Sequence, residues 1–351
     1  MPQPNFPESS GYRMPAEWEA HSGVWLTWPH SQPTWPNQNL ADVEEAYLLM
    51  IQALEGSETV QLLVPDFATR KRIIEILKNR GVAREAVRLH IIATNDSWIR
   101  DYGPNFIVRE DAVGRHLAMN KWNFDSWGGK YDWTLDNRAG DHISAGLSIP
   151  TFRPNIVLEG GAIEVNGKGV CLTTESCLLN TNRNGGLARD TMENYLRRYL
   201  GVQQVIWLNG DLKGDDTDGH IDNLARFVAP NTILCAVEEN KKDEHYESLQ
   251  KNLECLNKAS NLEGQPFEVI PIPMPDRLED DGMRLPASYA NFYIGNHCIL
   301  LPGYGGDKDQ QMKEILESYF PERRVALIPS QILVCGLGSI HCITQQQPAV
   351  A

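Results

Sequence analysis

The apolar and polar positions of this chain alternate in blocks that predict strands and helices in turn. A buried strand closed by a proline is predicted at residues 24–29, and apolar residues at helical spacing predict a helix at 41–55. A strand at 60–64, a helix from Asp66 to about Asn79 and a strand at about 87–92 follow. This alternation is typical of α/β proteins.

Beyond residue 100 the pattern repeats the order strand, strand, helix, strand. Strands are predicted at residues 106–108, 116–119, 156–158, 162–165 and 170–173, before a helix at 187–200 and a strand at 203–208. The same order recurs over 224–272 and 290–328. We count the unit about five times, at a spacing of roughly 70 residues. Such units around an axis predict a closed α/β assembly, with a doubly wound sheet as the alternative.

Nothing in the sequence divides the 351 residues into separate domains, since no Ser/Gly linker, charge block or low-complexity segment interrupts them. We expect one domain over residues 1–351, with residues 1–12 as a polar leader. The N-terminus lacks a basic start followed by an apolar core, and nowhere do 18 apolar residues run together. These features favour a cytoplasmic protein that binds no membrane.

Charge and cysteine content narrow the function further. With 32 Lys and Arg against 46 Asp and Glu, the net charge of -14 argues against nucleic acid as a partner and is compatible with a cationic ligand. The seven cysteines include no CxxC pair, so neither a disulfide framework nor a zinc site is predicted. Reduced thiols in a reducing compartment fit this pattern.

The candidate nucleophile is Cys342, near the C-terminus. Gly336 and Gly338 precede it and allow a tight bend that presents one thiol at its end. His341 is adjacent, but neighbouring residues on an extended segment point to opposite faces, so His341 cannot easily deprotonate Cys342. The base must therefore come from elsewhere, and a structural role for this cysteine is the alternative.

Three other stretches carry candidate polar residues. Asp101 lies in a loop that follows a strand, with a local Arg100 to Asp pair as the structural alternative. Glu159 ends an apolar strand before two glycines that let another group approach closely, and a charge in that place needs a partner. His220 and Asp222 share one face if their segment is extended.

If these stretches converge, they assemble one thiol, one imidazole and three carboxylates. A metal suits this set poorly, because carboxylates and a thiolate prefer different metals. A planar cation suits it better. A guanidinium offers five N–H donors that carboxylates bind bidentately, and a thiolate can attack its carbon.

The chain resembles agmatine deiminases of the bacterial peptidyl-arginine deiminase type, within the guanidine-modifying superfamily. Five ordered motifs carry the resemblance, and they lie at residues 14–18, 95–101, 158–161, 219–222 and 340–346. The resemblance implies a single-domain five-bladed α/β propeller of ββαβ modules with the site at its centre. It also implies a hydrolase that needs neither cofactor nor metal.

Carried over residue by residue, the resemblance makes Cys342 the nucleophile and His220 the general acid and base. Asp101 and Asp222 become the guanidinium-binding carboxylates, and Glu159 the acidic residue that keeps His220 protonated. The expected reaction converts agmatine to N-carbamoylputrescine and ammonia through a covalent thiouronium intermediate.

One departure concerns the loop before Cys342. Well-known agmatine deiminases have three glycines and an asparagine there, whereas Leu337 and Ser339 occupy the second and fourth places in this chain. This difference changes the predicted pocket wall next to Cys342, so the sequence does not decide which guanidine compound is the substrate. The alternatives are a peptidyl-arginine or other guanidine deiminase, an amidino transferase, a metal-dependent hydrolase, or a non-catalytic guanidine or polyamine binder.

Two tryptophans complete the candidate site. Trp98 and Trp127, the latter followed by Gly128 and Gly129, are candidates to line or cover the substrate tail, with core packing as the alternative. The resemblance is compatible with a homodimer or larger homo-oligomer, and a monomer is left open.

Overall fold

A computed structural model describes residues 6–350 of the chain. Within them the strands are β1 His21–Thr27, β2 Thr59–Val64, β3 Val87–Ile91, β4 Asn105–Asp111, β5 Gly114–Asn120, β6 Thr151–Phe152, β7 Glu164–Val165, β8 Val170–Thr174, β9 Gln204–Leu208, β10 Ala225–Ala229, β11 Thr232–Val237, β12 Glu268–Pro273, β13 Glu279–Asp280, β14 Met283–Arg284, β15 Tyr293–Ile294, β16 Cys298–Gly303, β17 Arg324–Pro329 and β18 Gln345–Pro348. The helices are α1 Leu40–Leu54, α2 Phe67–Asn79, α3 Ile99–Tyr102, α4 Ser126–Gly129, α5 Asp136–Leu147, α6 Glu175–Leu178, α7 Arg189–Leu200, α8 Tyr246–Lys258, α9 Asp307–Tyr319 and α10 Gln331–Val334.

The described strands form six small sheets, none of which closes on itself. Four of them share one order, in which an antiparallel pair is followed by a parallel third strand: β4-β5-β6, β7-β8-β9, β10-β11-β12 and β15-β16-β17. A fifth sheet has the order β18-β1-β2-β3, with β18 antiparallel to β1. The sixth is the hairpin β13-β14. Because the strands are divided among separate sheets, the doubly wound alternative is wrong.

The predicted order strand, strand, helix, strand is confirmed in four of these sheets, whereas the sheet β18-β1-β2-β3 takes its antiparallel strand from the C-terminal end of the described chain. The helices α5, α7, α8 and α9 each connect the two parallel strands of their sheet, and α1 connects β1 and β2. α1 also packs on β16 and β17, and α9 packs on β12. Helices thus lie between the sheet of their own unit and a neighbouring one. Three clusters of buried apolar side chains fill these layers.

One predicted strand is absent, and five helices were not predicted, of which α5 is the longest. Residues 156–158 form no strand, although Val157 makes an isolated bridge with Asn123. The helix α5 buries Asp136, Ala139, Gly140 and Ile143 on one face. This face has helical spacing, but an aspartate and a glycine replace large apolar residues, so the sequence carries little hydrophobic periodicity there.

The leader is only partly described, because residues 1–5 lie outside the described residues. The described part of this predicted polar leader carries aromatic side chains that pack on the rest of the chain. The ring of Phe6 lies 5.7 Å from that of Tyr199, and Tyr12 is buried. Within residues 6–350 no helix is long and apolar enough to cross a membrane.

Candidate active site

Cys342 lies in the turn between α10 and β18, with 6% of its surface exposed. The side chain of Asn291 fixes its position. Asn291 Nδ2 lies 3.2 Å from Cys342 Sγ, and its Oδ1 accepts a hydrogen bond from the backbone N–H of His341 at 2.9 Å. Burial raises the pKa of the Cys342 thiol well above its usual value, and the nearby Asp222 adds to this effect. The thiol is therefore protonated in this structure.

Gly336 and Gly338, which precede Cys342, allow two tryptophan side chains to pack closely against the backbone of this loop. A Cβ on Gly336 would lie 2.6 Å from Trp35 Nε1, and one on Gly338 would lie 2.4 Å from the ring of Trp98. In this loop the residue with a left-handed backbone is Leu337, whose φ is 68°, and neither glycine has a positive φ. The expectation that the glycines supply the bend is therefore wrong. Trp98 is buried against this loop, which is a core contact, and its role toward a substrate tail stays a prediction.

Three of the candidate side chains meet at Gly161. A Cβ there would lie 2.5 Å from His220 Nδ1, 2.9 Å from Asp101 Oδ1 and 3.0 Å from Asp222 Oδ2. The Gly161 N–H also donates to Asp101 Oδ1 at 2.9 Å. The prediction that the glycines after Glu159 allow close approach is thus confirmed. His220 and Asp222 are close through a 3-10 turn at Ile221–Asn223 and not through the extended segment that was expected.

Asp101 and Asp222 differ in the interactions that set their pKa values. Burial raises the pKa of Asp101 well above its usual value, and the charges of Asp222 and Glu159 raise it further. Burial is the largest influence on Asp222 and opposes its charge, but the hydrogen bond and charge of His341, together with His220 and Arg226, outweigh it and lower the Asp222 pKa below its usual value. The site therefore carries one carboxylate that is stabilised in its ionised form next to one without an arginine or lysine partner among the described residues.

His220 is buried, and neither of its ring nitrogens has a hydrogen-bond partner among the described residues. Its Nδ1 lies 3.7 Å from Asp101 Oδ1. Burial lowers the pKa of His220 to about 3, although Asp222 opposes this shift. This low pKa favours the neutral imidazole, and the expectation that Glu159 keeps His220 protonated stays a prediction.

Glu159 pairs with a cation that the sequence did not reveal. Arg183 Nε lies 2.6 Å from Glu159 Oε1, and both side chains are fully buried. Arg183 also contacts Asp218 at 2.6 Å. Burial raises the pKa of Glu159 even though Arg183 opposes it. The prediction that this buried carboxylate needs a partner is confirmed, and the partner holds it toward the loop before His220.

A second buried network lies behind Asp222. His341 Nδ1 is 2.7 Å from Asp222 Oδ2, and its Nε2 is 2.9 Å from Glu17 Oε2. Glu17 in turn contacts Arg226 at 2.9 Å and Arg100 at 3.3 Å. Arg100 is buried in this network, so a local pair with an aspartate of its own loop was the wrong alternative.

These groups give the site a definite chemical capacity. A protonated thiol and a neutral imidazole lie among the carboxylates of Asp101, Asp222 and Glu159, all of them buried. An arriving cation would be stabilised by the carboxylates and would favour the thiolate form of Cys342.

Comparisons with known proteins agree with this chemistry. The family model described as Porphyromonas-type peptidyl-arginine deiminase matches residues 13–348. The chain belongs to this family. It is 37% identical to the agmatine deiminase of Medicago truncatula over 99% of both chains. The initial resemblance to agmatine deiminases is thereby confirmed.

Solved structures of family members share the mixed α/β fold. The agmatine deiminase of Enterococcus faecalis superimposes with a TM-score of 0.90 at 29% identity, covering 99% of this chain and 98% of the other. A cysteine-to-serine variant of the C. jejuni agmatine deiminase with substrate bound gives a TM-score of 0.86 at 31% identity, covering 97% of each chain.

In this peptidyl-arginine deiminase family member, a strained segment covers Asp101. Trp127 Nε1 donates to Asp101 Oδ2 at 3.0 Å, and its role toward a substrate tail stays a prediction. Ser126 and Trp127 have φ values of 58° and 55°, and the glycine pair 128–129 also has positive φ. Four consecutive residues in this rarely populated region indicate a backbone held by its contacts.

Side chains after Trp127 tie the covering segment to the loop that precedes His220. Tyr131 Oη donates to Asp216 Oδ2 at 2.6 Å, and Lys130 Nζ lies 3.1 Å from Asp218 Oδ1. These four residues are partly exposed, so the contacts are open to exchange with water. The covering segment is therefore attached to the loop that precedes His220.

Proposed function

We propose that this protein deiminates agmatine, releasing ammonia and N-carbamoylputrescine. The convergence of His220, Asp101 and Asp222 at Gly161 carries the proposal, together with Cys342 Sγ at 3.9 Å from Asp222 Oδ2. Relatives called agmatine deiminase that match the chain over nearly its whole length support the choice of substrate.

Asp101 and Asp222 bind the guanidinium group in this proposal. A guanidinium presents its N–H donors in a planar fork that matches carboxylates bidentately. Burial and mutual repulsion oppose the ionised form of Asp101, so a bound cation relieves an existing electrostatic cost. The same cation lowers the pKa of Cys342, which burial and the charges of Asp222 and Asp101 raise.

The first half-reaction forms a carbon–sulfur bond. The thiol proton of Cys342 passes to neutral His220, and the thiolate attacks the guanidinium carbon. The His220 imidazolium then donates its proton to the departing amino group as the carbon–nitrogen bond breaks. Ammonia leaves, and a positively charged thiouronium group remains on Cys342.

The second half-reaction hydrolyses this intermediate. His220 takes a proton from water, the resulting hydroxide attacks the same carbon, and the carbon–sulfur bond breaks. The ureido product leaves, Cys342 regains its proton, and the remaining proton converts ammonia to ammonium. Glu159 acts on His220 through its charge, because its hydrogen bonds go to Arg183.

The enclosure of the site favours a small guanidine over an arginine within a peptide. Cys342, Asp101 and Trp127 expose 6%, 5% and 8% of their surfaces. A peptide backbone would have to displace the covering segment, whereas agmatine ends in a short flexible amine.

We infer that the five three- and four-stranded sheets are the blades of a single-domain propeller with this site at its centre. The shared strand order supports this, as does the pairing of β18 with β1, which joins the two ends of the chain. Assembly into a homo-oligomer and a cytoplasmic location remain predictions from the sequence.

The experiment is ammonia release by the purified protein, without added metal, from agmatine, free arginine and a blocked arginine peptide in parallel. We expect turnover of agmatine alone and its loss in Cys342→Ala, with Cys235→Ala, another buried cysteine, as the matched control. Turnover of the peptide in place of agmatine would favour a peptidyl-arginine deiminase. Agmatine binding without turnover would favour a non-catalytic binder.

A further inference from the structure

Cys177 is a buried thiol that the proposed reaction does not use. It lies on the short helix α6 and is fully buried, with its Sγ 4.0 Å from Glu159 Oε2. Burial raises the pKa of this thiol well above its usual value, and the charge of Glu159 raises it further. Cys177 is therefore a protonated thiol directly beside the site.

Two side chains close to Cys177, those of Glu159 and His220, can also act as metal ligands. One ligand atom each from Glu159, Cys177 and His220 lies within 4.8 Å of the others. Glu159 Oε1 is bonded to Arg183, which leaves Oε2 toward the thiol. His220 brings an independent indication, because both of its nitrogens lack a hydrogen-bond partner among the described residues although the ring is buried.

We propose that Glu159, Cys177 and His220 form an inhibitory site for one Zn²⁺ ion. Thiolate, imidazole and carboxylate are the three ligand types of protein-bound zinc, and three protein ligands leave a fourth position for water. The bound ion removes His220 from proton transfer, so it stops the deiminase reaction. The inhibition rests on the proposed function, whereas ion binding does not.

The geometry requires only small side-chain movements. Zinc bonds of about 2.0–2.3 Å place tetrahedral ligand atoms roughly 3.5 Å apart. The sulfur to carboxylate separation of 4.0 Å is close to this, and the widest separation of up to 4.8 Å must shorten by about an ångström. Rotation of the Cys177 and His220 side chains can supply this change.

Charge balance also favours a divalent cation at this position. Binding releases the Cys177 proton, so the ion meets a thiolate and the Glu159 carboxylate, whose charges equal its own. The carboxylates of Asp101 and Asp222 lie beside His220 and add negative potential, while Arg183 opposes the ion. Because a thiol proton is displaced, zinc affinity rises with pH.

Equilibrium dialysis of the whole protein with Zn²⁺, at neutral pH, tests the binding. We expect one ion per chain in the wild type and in Cys342→Ala, and at least about tenfold weaker binding in Cys177→Ala and Cys177→Ser. Cys235→Ala is the matched control and should bind as the wild type. Cd²⁺ in place of Zn²⁺ should give a thiolate charge-transfer band that Cys177→Ser lacks.

The activity arm uses agmatine turnover in the presence of Zn²⁺. Chelation should restore the wild type, and Cys177→Ser should require at least about tenfold more zinc for inhibition. Ion binding that persists in Cys177→Ser and disappears in Cys342→Ala would overturn the proposal, as would the absence of binding in the wild type. A protein that binds zinc through Cys177 but releases no ammonia would refute the proposed function alone.

Discussion

His341 lies between two carboxylates, with Nδ1 2.7 Å from Asp222 Oδ2 and Nε2 2.9 Å from Glu17 Oε2. His341 thus links the two buried carboxylates, and this arrangement holds Asp222 in a fixed position beside Cys342, whose Sγ lies 3.9 Å from Asp222 Oδ2.

Replacing His341 by glutamine should weaken substrate binding. Glutamine has one donor group and cannot serve both carboxylates. Glu17 keeps its contacts with Arg226 and Arg100, whereas loss of the hydrogen bond to buried Asp222 costs about 1–3 kcal/mol. Because Asp222 binds the guanidinium in our proposal, we expect KM for agmatine to rise roughly 10- to 100-fold, with a smaller change in kcat. His297→Gln, at an exposed histidine, is the control. An unchanged KM with a reduced kcat would show that His341 does not act through Asp222.

The sequence predicted the reacting groups but not the residues that hold them. Cys342, His220 and the carboxylates lie in short motifs whose residue types indicate their chemistry. Asn291 and Arg183 are single polar residues in otherwise ordinary segments, and no local pattern reveals that they contact Cys342 and Glu159. Burial of a carboxylate predicts that a partner exists, and only the fold identifies it.

The same limit applies to the strands and helices. Elements with strong periodicity, such as α1 and β2, were predicted within one residue of their bounds. The helix α5 was missed because its buried face includes Asp136, which accepts a hydrogen bond from the backbone N–H of Asn95 at 2.7 Å. That tertiary contact replaces the apolar burial on which sequence patterns depend.

Trp127→Phe should raise KM for agmatine while stability stays nearly unchanged. The variant keeps an aromatic six-membered ring but loses the pyrrole half of the indole, including the N–H that donates to Asp101 at 3.0 Å. A lost hydrogen bond of about 1 kcal/mol corresponds to a roughly fivefold effect. Trp122→Phe, which loses a comparable bond to Asn105 outside the site, is the matched control in steady-state kinetics and thermal unfolding. Equal effects of both substitutions on KM would contradict the role of Trp127.

Arg183→Met should strongly destabilise the protein. Removing the guanidinium leaves the buried Glu159 without its cation, which costs about 3–5 kcal/mol for a buried pair. The expected result is a lower midpoint in urea-induced unfolding. Arg197→Met, at an exposed pair with Glu193, is the control and should change stability by less than about 1 kcal/mol. Equal stability of the two variants would mean that the buried pair contributes little.

The neutral state of His220 predicts a pH dependence of stability. Its pKa is lowered from 6.5 to about 3 by burial, so the unfolded chain binds this proton first as the pH falls. This group therefore lowers stability between about pH 6.5 and pH 3, by up to about 1.4 kcal/mol per pH unit, and has no effect above that range. His220→Gln removes this component. Denaturant unfolding of both proteins at about pH 7, 6 and 5 measures the difference in slope, and parallel curves would contradict a neutral His220.

Leu337 should be better replaced by glycine than by alanine. Its φ of 68° lies in the left-handed region, which costs a non-glycine residue roughly 1–2 kcal/mol. Leu337→Ala loses the side-chain packing and keeps this strain. Leu337→Gly also loses the packing but relieves the strain, at the cost of about 0.5–1 kcal/mol in backbone entropy. We therefore expect the glycine variant to be more stable than the alanine variant by up to about 1 kcal/mol in urea unfolding. If the alanine variant is the more stable one, the left-handed backbone at Leu337 is not strained.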